Sequence, residues 1–276
     1  MTVARLSSFS RAGLRFDVTD AGPLEGPVTV LLHGFPATRS SWDGVIPLLT
    51  SEGRRVVTFD GRGYSPGARP SGRAAYRPRE LVRDVVALLD ALGEHRVSVV
   101  GHDWGGLVAW WLGRVIPSRI EHLTVLSTPH PRALSRSILS SGQGLRSSYI
   151  ALFQLPVLPE LLLRPRLERL LRSSGLPVES AREYAERMAE PGALTAALDW
   201  YRGLALPGGG RPGGPPRITV PTTYLWGNRD FALGRRAAEL TARYVTAPYR
   251  FVEIDAGHWL PETRAADVAD AILRRS

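Results

Sequence analysis

Short apolar runs punctuate the first half of the chain, at residues 28–32, 56–59, 97–100 and 123–126. Runs of four or five, rich in Val and Leu and nearly free of polar alternation, predict strands buried on both faces, as in a parallel sheet. Between the second and third, apolar residues at 81, 82, 85, 86, 88, 89 and 92 make a helical stripe that Gly93 closes. Residues 104–115 predict the next helix, stopped before Pro117. Strand and helix in alternation predict an α/β architecture with parallel pairing. The rhythm breaks after Leu126. From about 131 to 217 the pattern is helical only, at 161–171, 179–189 and 194–204, and it ends in the Gly- and Pro-rich stretch 208–216. Strands resume at 222–226 and 250–254. The expected organisation is one sheet core, 1–130 with 218–276, interrupted by an all-helical insertion over 131–217.

Composition narrows the function more than the fold. The 276 residues are 43% hydrophobic and 22% charged, values that rule out wholesale disorder. Cysteine is absent, which removes disulfides, thiolate metal sites and cysteine nucleophiles together. The net charge is +9, but every cation is an arginine and Asn228 is the only asparagine, a bias of the kind a GC-rich coding sequence imposes. The densest arginine stretch, 164–172, interleaves them with leucines and reads as the wet face of an amphipathic helix. No basic stripe or binding motif accompanies the charge, so nucleic acid is not an expected partner. The first ten residues have no apolar signal region, and stretches such as 107–112 fall far short of the ~18 residues of a membrane span. No membrane partner is expected, and the expected compartment is the cytoplasm.

The sharpest chemical feature is Gly101-His102-Asp103-Trp104-Gly105-Gly106, directly after one strand and directly before a helix. A strand-to-helix turn this tight is strained and crowded, so glycines flank it, and it lifts its central side chain above the sheet. His33-Gly34-Phe35-Pro36 follows the strand ending at Leu32, where a backbone oxyanion donor sits in such folds. Asp230 lies just past the 222–226 strand and His258 just past the last one. Nucleophile 103, acid 230 and base 258, in that order, is the order of one hydrolase fold, with all four segments at the carboxyl ends of the strands. Asp255 is a rival acid that its strand-end position disfavours.

These motifs resemble the α/β-hydrolase superfamily over essentially the whole chain, and within it the epoxide hydrolases. The expected fold is therefore an α/β-hydrolase fold, a mostly parallel twisted sheet flanked by helices with an inserted helical lid. The resemblance implies Asp103 as nucleophile, His258 as base, Asp230 as its orienting acid, and the backbone N–H groups of Phe35 and Trp104 as the oxyanion hole. It also implies substrate contacts from His33, Pro36 and Trp104 and a cis bond before Pro36. In the lid, Asp199-Trp200-Tyr201-Arg202 and Tyr149-Ile-Ala-Leu-Phe-Gln154 resemble the segments that carry the family's two proton-donating tyrosines, which makes Tyr201 and Tyr149 the candidates.

Aspartate at the elbow has a chemical consequence of its own. A carboxylate that attacks saturated carbon displaces a leaving group and keeps an alkyl ester, which activated water then hydrolyses. Epoxide opening or dehalogenation is therefore expected, rather than ester hydrolysis. A departing epoxide oxygen needs a proton and a halide needs only N–H donors; Phe35 brings no side-chain donor, which favours the epoxide. The alternatives are a haloalkane-type dehalogenase on the same triad and a non-hydrolytic ligand-binding or biosynthetic protein of this fold. A small apolar epoxide is the expected partner, with a homodimer possible and no cofactor or metal.

The other conspicuous residues receive plainer readings. His102 orients the elbow, and His95, His122 and His130 take surface or core-edge places. Tyr184 is an amphipathic residue with its hydroxyl in water. Trp42, Trp110, Trp111 and Trp259 pack. The glycines of 60–65 only weakly resemble a dinucleotide loop.

Overall fold

A computed structural model describes residues 4–138, 143–146, 149–206 and 217–274; the stretch 208–216 lies outside them. Eight strands form one sheet: β1 (Ser8–Arg11), β2 (Leu14–Ala21), β3 (Val28–Leu32), β4 (Arg55–Phe59), β5 (Val97–His102), β6 (Ile120–Leu126), β7 (Thr222–Gly227) and β8 (Tyr249–Ile254). Their order is β1-β2-β4-β3-β5-β6-β7-β8, with the β1–β2 and β2–β4 pairings antiparallel and every other pairing parallel. All six expected strands are present. The β1–β2 hairpin was not legible, because only Phe9, Phe16 and Val18 of it turn inward and polar residues separate them. Phe9 stacks on Phe16 at 4.7 Å, and both meet Phe59 edge-on.

The central strands read as unbroken apolar runs because helices cover both faces. Helices α1 (Ile46–Ser51), α2 (Pro78–Leu92) and α3 (Trp104–Val115) are interleaved with the strands. Between β6 and β7 come α4 (Pro131–Ile138), α5 (Gln143–Arg146), α6 (Tyr149–Phe153), α7 (Leu158–Leu163), α8 (Leu167–Ser173), α9 (Val178–Ala189) and α10 (Ala193–Leu204). The chain closes with α11 (Arg235–Thr241), α12 (Leu260–Thr263) and α13 (Ala265–Leu273). Leu31, Val56, Val100 and Leu126 point to one face, against Trp42, Leu49, Val268 and Ile272. Their neighbours Val30, Val57, Val99 and Val125 point to the other, against Val85, Leu88 and Trp110. Pro78 opens α2 where no donor is lost, and Gly93 ends it in a left-handed turn whose N–H reaches the Asp90 and Leu89 carbonyls.

Among the described residues, the chain between β6 and β7 holds helices and no strand. The helix expected over 161–171 is two helices. Pro165 has no N–H to give the Leu161 carbonyl, so α7 stops and α8 starts again beyond Arg166. Helix α9 and the Glu190 that follows it are tied to the sheet core: Arg187 pairs with Asp60 at 3.2 Å, Glu190 pairs with Arg69 at 2.6 Å, and the Ser40 hydroxyl donates to Glu183 at 2.5 Å. Asp60 also binds Arg39. Tyr184 departs from its expectation: it is buried, and its hydroxyl donates to Glu262 at 2.9 Å instead of to water. His130 is fully buried as well, stacked on Tyr244.

Candidate active site

The turn between β5 and α3 holds Asp103 at φ 51° and ψ −117°, a region a side chain occupies only when its surroundings insist. Here they do. A Cβ on Gly105 would stand 2.1 Å from the Leu32 carbonyl oxygen, one on Gly101 2.2 Å from that of Gly105, and one on Gly34 2.4 Å from the Asp103 Cβ. The Thr128 hydroxyl donates to the Asp103 carbonyl at 2.7 Å and fixes the turn from the side.

The carboxylate that results is aimed and held. Its Oδ1 accepts the Phe35 N–H at 2.8 Å, and the Trp104 N–H also binds the group. Phe35 is presented by a loop whose Phe35–Pro36 bond is cis, as expected. Oδ2 lies 3.7 Å from Nε2 of His258. The opposite nitrogen, Nδ1, donates to Asp230 Oδ2 at 2.8 Å, while Asp230 Oδ1 accepts the N–H groups of Ala232 and Leu233 at 2.8 and 2.9 Å. Asp230 is thereby locked, and it fixes which nitrogen of His258 faces Asp103.

Burial works on these charges in opposite directions. It raises the Asp103 carboxyl, and His258 with the two N–H donors pulls it back only in part. Burial would lower His258, but the Asp230 carboxylate, then Asp103, outweigh it and push the imidazole up to about 9. Glu262, four residues beyond His258, is raised to about 7 by burial, although the Tyr184 hydroxyl and the His258 charge oppose the shift.

Above Asp103 is a cavity of about 330 Å³, within the range of small-molecule sites. Phe35, Pro36, Phe153, Leu167 and Trp259 contribute to its lining, and Asp103, His258, Tyr149 and Tyr201 face it together. Tyr201 is buried, with its ring edge-on to Trp104 at 4.9 Å and to Phe35 at 5.3 Å. Burial, then Tyr149 and Asp103, hold its hydroxyl protonated, and its side chain hydrogen-bonds that of Trp104. Tyr149 is more open; burial, then Asp103, keeps its hydroxyl protonated too, with a side-chain hydrogen bond to Tyr201.

Of the expected substrate contacts, Pro36 lines the cavity, whereas the His33 and Trp104 side chains are outside its lining. His33 has both nitrogens committed to backbone, Nδ1 to the Gly34 carbonyl at 2.9 Å and Nε2 to the Gly61 N–H at 3.0 Å. Its role is to brace two loops, and the second is the glycine loop that weakly resembled a dinucleotide site. Trp104 packs behind Tyr201. Conversely, Trp259, read as packing only, is part of the wall. Asp255 lies at the surface, paired with Arg229. His102 sends Nε2 to the His258 carbonyl at 2.9 Å, and the Ser127 hydroxyl reaches the same oxygen at 3.1 Å, so both secure the loop that carries the base. Ser127 and Glu262 carry no motif and could not have been found from sequence. Among the described residues no cluster of three or more His, Asp or Glu could hold a metal ion.

This arrangement can deliver a carboxylate oxygen to an electrophile and then activate water against the product. The chain is similar in sequence and shape to proteins already described. A family model described as alpha/beta hydrolase fold matches residues 27–265. The chain is 37% identical over 270 residues to AB hydrolase superfamily protein YfhM of Bacillus subtilis (strain 168), covering 95% of this chain and 94% of that one. It is 34% identical to Epoxide hydrolase 3 of Xenopus tropicalis, covering 93% and 73%. A solved structure from work on novel epoxide hydrolases in metagenomes from hot environments superposes with a TM-score of 0.84 at 29% identity, over 99% of this chain and 98% of that one.

Proposed function

The chain belongs to the alpha/beta hydrolase fold family, and from that premise we propose that it hydrolyses an epoxide to a vicinal diol through an alkyl ester on Asp103. The observation that carries the reading is a bare carboxylate, anchored by the Phe35 N–H at 2.8 Å and facing an apolar cavity shared with two protonated tyrosines. Relatives that bear the name epoxide hydrolase support the same substrate class.

An Asp103 oxygen attacks a ring carbon. The carbon–oxygen bond of the ring breaks, its electron pair stays on oxygen, and Tyr201, assisted by Tyr149, supplies the proton. With Asp103 esterified, a negative charge beside His258 has gone, and the imidazole sheds its proton, which restores the tyrosine. His258 is now a base. It takes a proton from water as the hydroxide attacks the ester carbonyl, and the Phe35 and Trp104 N–H groups hold the oxyanion, each worth about 10²–10³ in rate. Collapse expels the diol oxygen, which leaves with the acid's proton. Asp103 is again a carboxylate and His258 again an imidazolium, so the protons balance. The helical segment between β6 and β7 serves as the lid and supplies both tyrosines.

The halide alternative has less support from this geometry. Phe35 offers no side-chain donor, and the Trp104 side chain is already hydrogen-bonded to Tyr201.

The test is a single turnover of an aryl epoxide in ¹⁸O-water. The first diol is expected to carry ¹⁶O taken from Asp103, and His258→Phe is expected to accumulate the alkyl-enzyme as a mass increase on the intact protein. Immediate ¹⁸O incorporation, or full turnover by the variant without an adduct, refutes the covalent route. Absence of any turnover, with a melting temperature still shifted by the ligand, identifies a binder instead.

A further inference from the structure

The outer face of α7 and α8 is unlike the rest of the surface. Leu155, Val157, Leu158, Leu161, Leu162 and Leu170 are between 40% and 66% exposed, all within sixteen residues of chain. Leu158, Leu161 and Leu162, at i, i+3 and i+4, share one face of α7, and exposed apolar residues grouped in this way mark an interaction surface. Val157 holds a φ of 66° and is 63% exposed, so a β-branched residue sits in a strained conformation that displays it to the outside.

The charge beside the patch says what it fits. Arg164, Arg166, Arg169 and Arg172 are all exposed. Of the two acids within residues 155–172, Glu168 pairs with Arg172 at 3.7 Å and Glu160 is drawn away to Arg202 at 2.9 Å. A second copy meeting this face about a two-fold axis would bring the same four arginines against these. An anionic lipid surface instead offers apolar depth to the leucines and phosphate to the arginines.

The patch also adjoins the cavity. Leu170 is 44% exposed on the patch and lines the Asp103 cavity as well, and Leu163, Leu167 and Leu171 of the same two helices complete that wall. We propose that the outer face of α7 and α8 docks on an anionic lipid membrane, with the cavity mouth toward the layer in which apolar epoxides dissolve. The docking stands independently of the proposed reaction; only the delivery of substrate rests on it.

The experiment is cosedimentation with vesicles of phosphatidylcholine mixed with phosphatidylglycerol, and with phosphatidylcholine alone. The intact protein is expected to pellet with the mixed vesicles and to release as salt rises. Leu161→Asp is expected to cut the partition coefficient about tenfold or more, the loss of one buried leucine. Arg169→Ala is expected to cut it about fivefold, on the mixed vesicles only. Neither residue lines the cavity, so turnover of a water-soluble aryl epoxide is expected to stay at the parent level in both. Vesicle binding without turnover in the parent protein supports docking while removing the catalytic reading. A parent protein that stays in the supernatant, or a Leu161→Asp variant that pellets like it, overturns docking. So does a dimer in sedimentation velocity that Leu161→Asp dissolves while no vesicle is bound, since the face is then taken by a second copy.

Discussion

His258 stands between two carboxylates, and on the proposed mechanism one of them loses its charge midway through the cycle. Burial alone would strip the imidazole of its proton; Asp230 and Asp103 together hold it on, up to about 9. The two partners differ in kind. Asp230 is locked by two backbone N–H groups and stays charged throughout, whereas the Asp103 charge disappears on alkylation. Asp103→Asn imitates the alkylated state, with one hydrogen-bonding carbonyl retained and the charge gone. Its His258 is therefore expected to titrate below the parent midpoint of about 9, followed by ring-proton NMR. An unchanged midpoint means that Asp103 does not control the base, and the switch between the two half-reactions then has no driving force.

The β5–α3 turn is the element on which the site depends, and its glycines are not interchangeable. A methyl on Gly105 would run into the Leu32 carbonyl at 2.1 Å, and backbone cannot step aside. A methyl on Gly106 would meet the Val125 Cγ1 at 3.0 Å, the Thr128 Cβ at 3.1 Å and the Gly101 carbonyl oxygen at 3.2 Å, contacts about an ångström longer than the one at Gly105 that need a shift of only a few tenths of an ångström. Gly105→Ala is expected to destabilise the fold by roughly 1–3 kcal/mol or more in urea unfolding. Gly106→Ala is expected to fall near neutral, because alanine's helix preference offsets the crowding by up to about 1 kcal/mol. Equal costs at the two positions would show that close backbone approach is not the constraint. The turn was readable beforehand because glycine spacing records that crowding directly. The break between α7 and α8 carried the same kind of local signal in Pro165, but the leucine periodicity running across it masked the proline.

For the whole molecule, the buried titrating groups set a pH of greatest stability. His33, His102 and His130 are held below the ordinary histidine value, by burial first. Their contribution is complete above about 6.5 and is lost as pH falls below it, because the unfolded chain then takes up protons that the folded one refuses. His258 has the opposite sign. Its folded value of about 9 exceeds 6.5, so its contribution is complete below 6.5 and is lost as pH rises through 9. Glu262 adds a loss between 4.5 and about 7. The melting temperature is expected to peak near pH 6.5, where the histidine contributions meet, and to fall toward 9. Glu262→Gln keeps an acceptor for Tyr184 and is expected to raise the melting temperature more at pH 8 than at pH 5. A melting temperature that climbs steadily to pH 9 contradicts both assignments.

Sequence by itself determined what local rules write into the chain. The unbroken Val and Leu runs state a sheet covered on both faces, and Gly101, Gly105 and Gly106 state a tight strand-to-helix turn around Asp103. The order of Asp103, Asp230 and His258 follows strand ends, and strand ends are local. Tertiary structure alone decided everything that depends on contacts between distant segments. Only the folded chain brings Tyr149 and Tyr201 to one cavity, commits both nitrogens of His33 to backbone, buries Tyr184 against Glu262 and sets Ser127 and His102 on the carbonyl of His258. A side chain's type and spacing say what it can donate or accept. Which partner it meets is fixed by packing of separate elements, up to 156 residues apart for His102 and His258, and periodicity within one element carries no record of that meeting.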